Sequence, residues 1–185
     1  MPGKILQSAL IASTLALPCA ACAAVDYFLK IDGIEGESTD SKHKGEIELL
    51  SFSWGAANNA QVASGSGRGG RVTFQDFQFS KLFDKSSPAI FLKCVNGQQI
   101  TTMTLTARRA GEAQFANPDF MKIVFSNVLI SFYKEQEPNT DALTSEEVGA
   151  LFKKMSLTFT GTSPKGGAAD VAPITVNAEA SGDGG

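Results

Sequence analysis

The chain has 185 residues and a formal net charge of −3, from 16 Lys and Arg against 19 Asp and Glu. This length fits about one domain, and the apolar fraction of 43% is sufficient for a hydrophobic core. With four scattered Arg and a mildly acidic balance, the chain lacks the basic patch that a nucleic-acid partner requires. The 18 Gly and 13 Phe favour a β-rich fold with many turns.

Residues 1–24 are typical of a secretory signal peptide. One lysine precedes a largely apolar run from Ile5 to Leu17, and the small residues that follow fit a signal peptidase. A retained membrane anchor is the weaker alternative, because the run is shorter than the ~20 residues that span a bilayer. We expect cleavage after Ala23 or Ala24, export to the periplasm or the cell exterior, and no stable membrane insertion afterwards. Cys94 then remains as the one cysteine, so no internal disulfide can form.

From Val25 onward, apolar and polar residues alternate in a way that predicts strands. The first strand covers residues 27–31, and the loop from Glu37 to Gly45 contains no apolar residue. Residues 146–152 are ambiguous, because a capping box and helical spacing compete there with the alternation. We predict strands over residues 27–31, 46–54, 71–82, 98–109, 120–133, 154–160 and 174–177, and a less certain one over 146–152.

The predicted strand over residues 46–54 has two unequal faces. Leu50, Phe52 and Trp54 form the expected core face, with Trp54 as its anchor. The opposite face is too apolar at its start and too polar at its end for plain solvent exposure. It carries Ile47, Leu49, Ser51 and Ser53. We expect this face to contact another subunit or to line a surface, with solvent exposure as the alternative for the two serines.

One short helix is predicted between the third and fourth strands. Ser86 or Ser87 is its N-cap, Pro88 occupies the first turn, and Asn96-Gly97 ends it. Its apolar stripe comprises Ile90, Phe91, Cys94 and Val95.

The candidates for chemistry are weak. Gly65, Gly67 and Gly70 fit a GxGxxG pattern, but a strand follows instead of the helix that a dinucleotide site needs. His43, the only histidine, is expected to be exposed in its loop, and Cys94 to be an inert thiol. One His and one Cys cannot build a zinc site, and the acidic residues lack the spacing of a calcium loop. We therefore expect no catalytic residue, no metal site, no cofactor and no enzymatic activity.

Ordered blocks of residues between positions 25 and 177 carry a family resemblance. They are Val25–Ser38, His43, Ile47–Gly55, Val72–Phe77, Lys81, Asp84–Pro88, Cys94, Thr104–Gly111 and the alternating Val148, Phe152, Met155, Leu157 and Phe159. Together they resemble the haemolysin-coregulated protein (Hcp) family of type VI secretion. The resemblance of the last block to the closing strands of that family favours strand over helix there.

The resemblance implies a mainly β fold over residues 25–178, an Hcp-like β-barrel of two packed antiparallel sheets with one short flanking helix, and a flexible tail over 179–185. It also implies a homo-hexameric ring, stacked into the inner tube of a contractile injection machine, with effectors in its lumen and sheath and tip proteins as further partners. A head-to-tail ring is the closed outcome of a heterologous interface. The candidates for a loop that reaches a stacked ring are Gly65, Gly67, Arg68 and Gly70.

The signal peptide departs from the family pattern, because tube-forming members start near Val25 and are assembled in the cytoplasm. Three interpretations follow. The chain is a tube protein, cytoplasmic before secretion, whose start codon has been placed too far upstream. Alternatively, it is a ring former that works in the periplasm or outside the cell. As a third alternative, it is a binding module that kept the fold outside a type VI machine.

Overall fold

The computed structural model describes residues 25–58, 72–109, 119–136, 144–160 and 174–179, the last range by its backbone alone. The predicted signal peptide, the Gly65–Gly70 loop and the tail from residue 180 lie outside this part of the chain. The described residues form β1 (Val25–Ile31), β2 (Ile47–Leu49), β3 (Ser51–Asn58), β4 (Val72–Leu82), α1 (Ser87–Asn96), β5 (Ile100–Arg109), β6 (Asp119–Gln136), β7 (Ser145–Phe159) and β8 (Ile174–Glu179).

The strands form one curled antiparallel sheet. Their order is β2-β1-β5-β6-β7-β4-β3, and β8 pairs with β7 outside this path. The end strands β2 and β3 are separated in the chain by Leu50 alone, so the sheet curls until its two ends meet. At the junction the Leu50 N–H donates to the Ser80 carbonyl oxygen at 2.8 Å. The predicted mainly β fold with one short helix is confirmed.

Two long strands belong to both layers of the curled sheet. β6 pairs with β5 up to Val128 and with β7 along most of its length. β7 pairs with β4 through residues 145–150 and with β8 through 154–159. The strands β3, β4, β7 and β6 therefore make one layer, which we call the four-stranded layer. The second layer contains β2, β1, β5, β6, β7 and β8.

Aromatic side chains fill the space between the layers. The rings of Phe77 and Phe125 stack with centroids 4.5 Å apart, and Phe152 lies 4.8 Å from Phe125. Fully burying a side chain of this size contributes about 1.5–3 kcal/mol. Trp54, the predicted core anchor, is only partly buried and packs against this core from β3. Its anchoring role is therefore smaller than the sequence suggested.

The predicted strand over residues 46–54 is two strands, and the break changes which side chains point inward. Ile47 and Leu49 are 0% and 8% exposed, whereas Leu50 is 56% exposed. Leu50 and Ser51 both point away from the core at the junction, and Phe52 resumes the inward phase. The prediction that Ile47 and Leu49 are available to another subunit, with Leu50 in the core, is wrong.

The ambiguous segment after residue 144 is a single strand and not a helix. Gly149 sits in the middle of β7, where a Cβ would overlap the ring of Phe132 on β6. The glycine that weakened the helical alternative is therefore needed for close packing of these two strands. The remaining strands agree with their predicted ranges to within a few residues.

Helix α1 begins after Ser86 with Pro88 in its first turn, and Gly97 ends it with φ of 60°. Ile90 is buried and Cys94 is partly buried against the core. The other predicted members of the stripe are exposed, so only half of that prediction is confirmed. Exposed fractions are 52% for Phe91, 55% for Leu92 and 64% for Val95. No helix in the described part of the chain is long and apolar enough to cross a bilayer.

Candidate functional site

One end of the outward face of the four-stranded layer is mainly polar, and the strand register orders its side chains in rows. One row runs through Ser53, Gln78, Gly149 and Phe132, and the next through Ser51, Ser80, Glu147 and Lys134. We call these two rows, together with Ser145 and Gln136 beyond them, the polar face. Its serine and glutamine side chains are all exposed or partly exposed.

A shallow groove of about 310 Å³ runs across the polar face. The hydroxyls of Ser51 and Ser80 share a hydrogen bond of 2.6 Å, and the Gln136 amide donates to a Glu147 carboxylate oxygen at 3.3 Å. Neutral hydroxyl and amide groups exchange protein and water partners at little net cost. This surface is therefore suited to weak, interchangeable contacts with another protein.

The structure separates the residues that the sequence placed on one face. Ser51 and Ser53 both lie exposed on the polar face. Ile47 and Leu49 do not reach it, because they are in the core. The loop candidates Gly65, Gly67, Arg68 and Gly70 lie outside the described residues.

Behind the polar face lies a buried ion pair that the sequence analysis missed. Lys81 and Glu146 are 0% and 1% exposed, and Lys81 Nζ donates to Glu146 Oε2 at 3.1 Å. The same ammonium donates to Ser87 Oγ at 3.0 Å and to the Leu82 carbonyl oxygen at 2.7 Å. The Tyr133 hydroxyl donates to Glu146 Oε1 at 2.8 Å. The pair therefore ties β4, β6 and β7 to the start of α1.

The surroundings of this pair shift two pKa values in opposite directions. Burial raises the pKa of the Tyr133 phenol, and the Glu146 carboxylate raises it further, so the phenol stays protonated and acts as a donor. Burial alone would raise the pKa of Asp84, but hydrogen bonds from Ser86 and Lys81 lower it below its ordinary value. Lys81 Nζ lies 2.9 Å from Asp84 Oδ1. The network positions structural elements.

The single histidine is buried, which corrects the prediction of an exposed loop residue. His43 is 6% exposed, and its ring stacks on Phe28 with centroids 4.4 Å apart. Its Nδ1 lies 2.9 Å from Glu46 Oε2 and its Nε2 lies 3.3 Å from Asp119 Oδ1. Because both nitrogens face carboxylates, the imidazole fastens the loop between β1 and β2 across the second layer.

A second ionic contact secures the same loop. Arg108 Nη1 donates to Asp40 Oδ1 at 2.9 Å. Burial alone would raise the pKa of Asp40, but the backbone N–H groups of Lys42 and His43 and the Arg108 charge lower it overall. Across the described ranges, no group of three or more His, Cys, Asp or Glu side chains could hold a metal ion.

Comparison with known proteins identifies the family. Residues 28–163 match the family described as "Type VI secretion system effector, Hcp". This chain belongs to the Hcp family. Over 137 residues it is 32% identical to the protein hcp1 of Pseudomonas aeruginosa, a match that covers 74% of this chain and 83% of the relative. The resemblance found from the ordered sequence blocks is confirmed.

Solved Hcp structures share the fold. The crystal structure of Hcp1 from Salmonella typhimurium has 30% identity and a TM-score of 0.67, covering 85% of this chain and 95% of that one. A type VI secretion system effector from Yersinia pestis has 28% identity and a TM-score of 0.65, covering 83% and 99%. The curled sheet with one short helix is thus the Hcp fold, and Hcp proteins are secreted structural components of type VI secretion.

Proposed function

We propose that this Hcp chain is a ring-forming tube subunit of a type VI secretion system. Six copies close head to tail, rings stack into a tube, and the polar face lines a lumen that carries effector proteins. Family membership supports the setting. The observation that supports the assembly is that, among the residues that the structure describes, the four-stranded layer has an unpaired edge on each side.

The two unpaired edges belong to different strands. Within the described ranges, β3 pairs only with β4, and residues 129–136 of β6 pair only with β7. An unpaired edge is a template for pairing with another chain. Because the two edges differ, pairing one with the other is heterologous, and such contacts close into a ring when the rotation permits.

The strand directions at the two edges, and the positions of the edges along the ring axis, agree with such a ring. Each strand of the four-stranded layer is antiparallel to its neighbour, so β6 of one copy and β3 of the next also run antiparallel. Ser51 and Lys134 end the same row, which passes through Ser80 and Glu147. In a ring without axial rise, Ser51 of one copy therefore meets Lys134 of the next. Neighbouring polar faces then join into one continuous inner surface.

Light scattering at micromolar concentration tests the ring. We expect a mass six times that of the protomer, and rings or short tubes by negative-stain electron microscopy. A clean monomer would leave the Hcp fold standing and would defeat the tube function.

The alternative function is a structural or binding role outside a type VI machine, and the predicted signal peptide over residues 1–24 favours it. The N-terminal mass of the native protein separates the two. Cleavage leaves Ala24 or Val25 at the amino terminus. Internal initiation at codon 25 would instead place a methionine there, because bacterial translation starts with methionine.

A further inference from the structure

Helix α1 carries an exposed apolar face beside the unpaired edge of β6. We call Phe91, Leu92 and Val95 the helix face, since each is more than half exposed. The Phe91 ring lies 5.4 Å from that of Tyr133, within the half of β6 that pairs only with β7. Exposed apolar side chains clustered in this way mark a contact surface.

A cleft lined by both apolar and acidic side chains lies at the other flank of the four-stranded layer. We call it the corner cleft. Its volume is about 380 Å³, and its exposed apolar lining is Leu50, Leu82 and Phe83. Leu50 directly precedes β3, so the corner cleft adjoins the second unpaired edge.

The charges around the two surfaces are complementary. Glu37 and Glu48 also line the corner cleft, and we call them its acidic border; Asp84 lies beside them but is already paired with Lys81. On the opposite flank, Lys134 is exposed on β6 next to Tyr133, whose ring contacts Phe91 of the helix face. Complementary charges favour contact between unlike surfaces and disfavour contact between two copies of the same surface.

We propose that the helix face of one copy seats in the corner cleft of the next copy. The contact would seal the ring outside the paired strands. This inference rests on the proposed ring: when β6 of one copy pairs with β3 of the next, the helix face and the corner cleft arrive at the same junction. Seating removes apolar side chains from water on both partners, and the attraction between Lys134 of one copy and the acidic border of the next fixes their relative position.

Disulfide trapping tests the contact directly, because a disulfide needs Cα atoms roughly 4.4–6.8 Å apart. The background is the full chain with Cys19, Cys22 and Cys94 changed to serine. The Leu50→Cys chain carries one affinity tag. It is co-expressed with a second chain that carries a different tag and has Phe91→Cys, Leu92→Cys or Val95→Cys. We expect covalent dimers carrying both tags from at least one pairing, and none from any single variant alone. Leu50→Cys with Leu151→Cys is the matched control, since Leu151 is 47% exposed on β7 outside both surfaces.

Charge substitution on the helix face gives a second test. Leu92→Glu places a carboxylate against the acidic border and should weaken assembly at least tenfold. Leu92→Lys has a similar helix propensity and should weaken it less. Both variants should keep the protomer's circular dichroism spectrum.

The outcomes distinguish this contact from the ring itself. A wild-type chain that stays monomeric overturns the ring and the contact together. Suppose that the wild-type chain is a hexamer, that no cysteine pairing gives mixed dimers, and that both Leu92 variants keep the hexamer mass. This result overturns the contact alone. Equal weakening by the two variants overturns the charge complementarity.

Discussion

Removing Lys81 should be among the most damaging single changes in this protein. Lys81→Met keeps most of the side-chain volume but takes away the donor to Glu146, Ser87 and the Leu82 carbonyl oxygen. It also removes the cation beside Asp84. Glu146 would then be a buried carboxylate with only the Tyr133 hydroxyl as a partner. Breaking a buried ion pair by removing one member costs about 3–5 kcal/mol.

Replacing both members should cost much less than replacing one. In the Lys81→Met/Glu146→Leu variant the buried Glu146 carboxylate is removed as well, and Asp84, which is only partly buried, keeps its hydrogen bonds from Ser86. Apolar replacement of a buried pair is often near neutral. A shift of 1 kcal/mol changes the melting temperature by roughly 2–4 °C for a chain of 150–250 residues. The melting temperature of the single variant should therefore fall by roughly 6–20 °C, and that of the double variant should return most of the way to the parent value.

Thermal and urea unfolding at one fixed protein concentration measure both variants, because assembly makes stability depend on concentration. Lys85→Met is the control, since Lys85 reaches Glu35 only through an exposed contact. The free energy of unfolding of Lys85→Met should lie within about 1 kcal/mol of the parent value. Equal losses in the single and double Lys81 variants would refute the reasoning, because the damage would then not come from the unpaired charge.

Three further predictions follow from burial and charge. His43→Ala should cost about 2–3 kcal/mol in urea unfolding, because it removes the ring stacked on Phe28 and the imidazole that contacts Glu46 and Asp119. A loss within error of zero would contradict the buried role. Phe125→Ala should cost about 3–5 kcal/mol and Trp54→Ala clearly less, since Trp54 is only partly buried; the reverse order would contradict the core assignment. The pKa of Asp84 lies below its ordinary 3.8 in the folded chain, so the ionised carboxylate stabilises the fold above that pH. This stabilisation is lost as the pH falls through the lower folded pKa. In Asp84→Asn, the free energy of unfolding should therefore decline less steeply as the pH is lowered.

Alternation alone predicted which segments are strands, but not every inward face. Period-two reasoning assumes an unbroken strand, and a slip of one residue moves every side chain to the other face. The break at Leu50 is such a slip. Its cause is the change of pairing partner from β1 to β4, which only the closed sheet reveals. The serines remained outward because the slip occurs before Ser51.

The buried charges were missed because their partners are distant in sequence. Lys81 and Glu146 are 65 positions apart, and His43 and Asp119 are 76 apart. One feature of the sequence could still have indicated the buried Lys81–Glu146 pair. Lys81 continues the inward phase of Phe77 and Phe79, and Glu146 precedes Val148 in the inward phase of β7. Opposite charges at inward positions of two strands indicate a buried pair.

The composition of the two unpaired edges gives a physical reason to expect a neighbouring copy. Proteins protect exposed edges with charges, prolines or very short strands. β2 is protected by its length of three residues, and residues 129–136 of β6 carry Lys134 and Glu135. Residues 51–57 of β3 contain neither a charge nor a proline. An edge of this kind readily pairs with another strand, and in the proposed ring the β6 edge of the next copy covers it. The proposed ring would therefore also protect the chain from aggregation, so a variant that loses the ring should become more prone to aggregate.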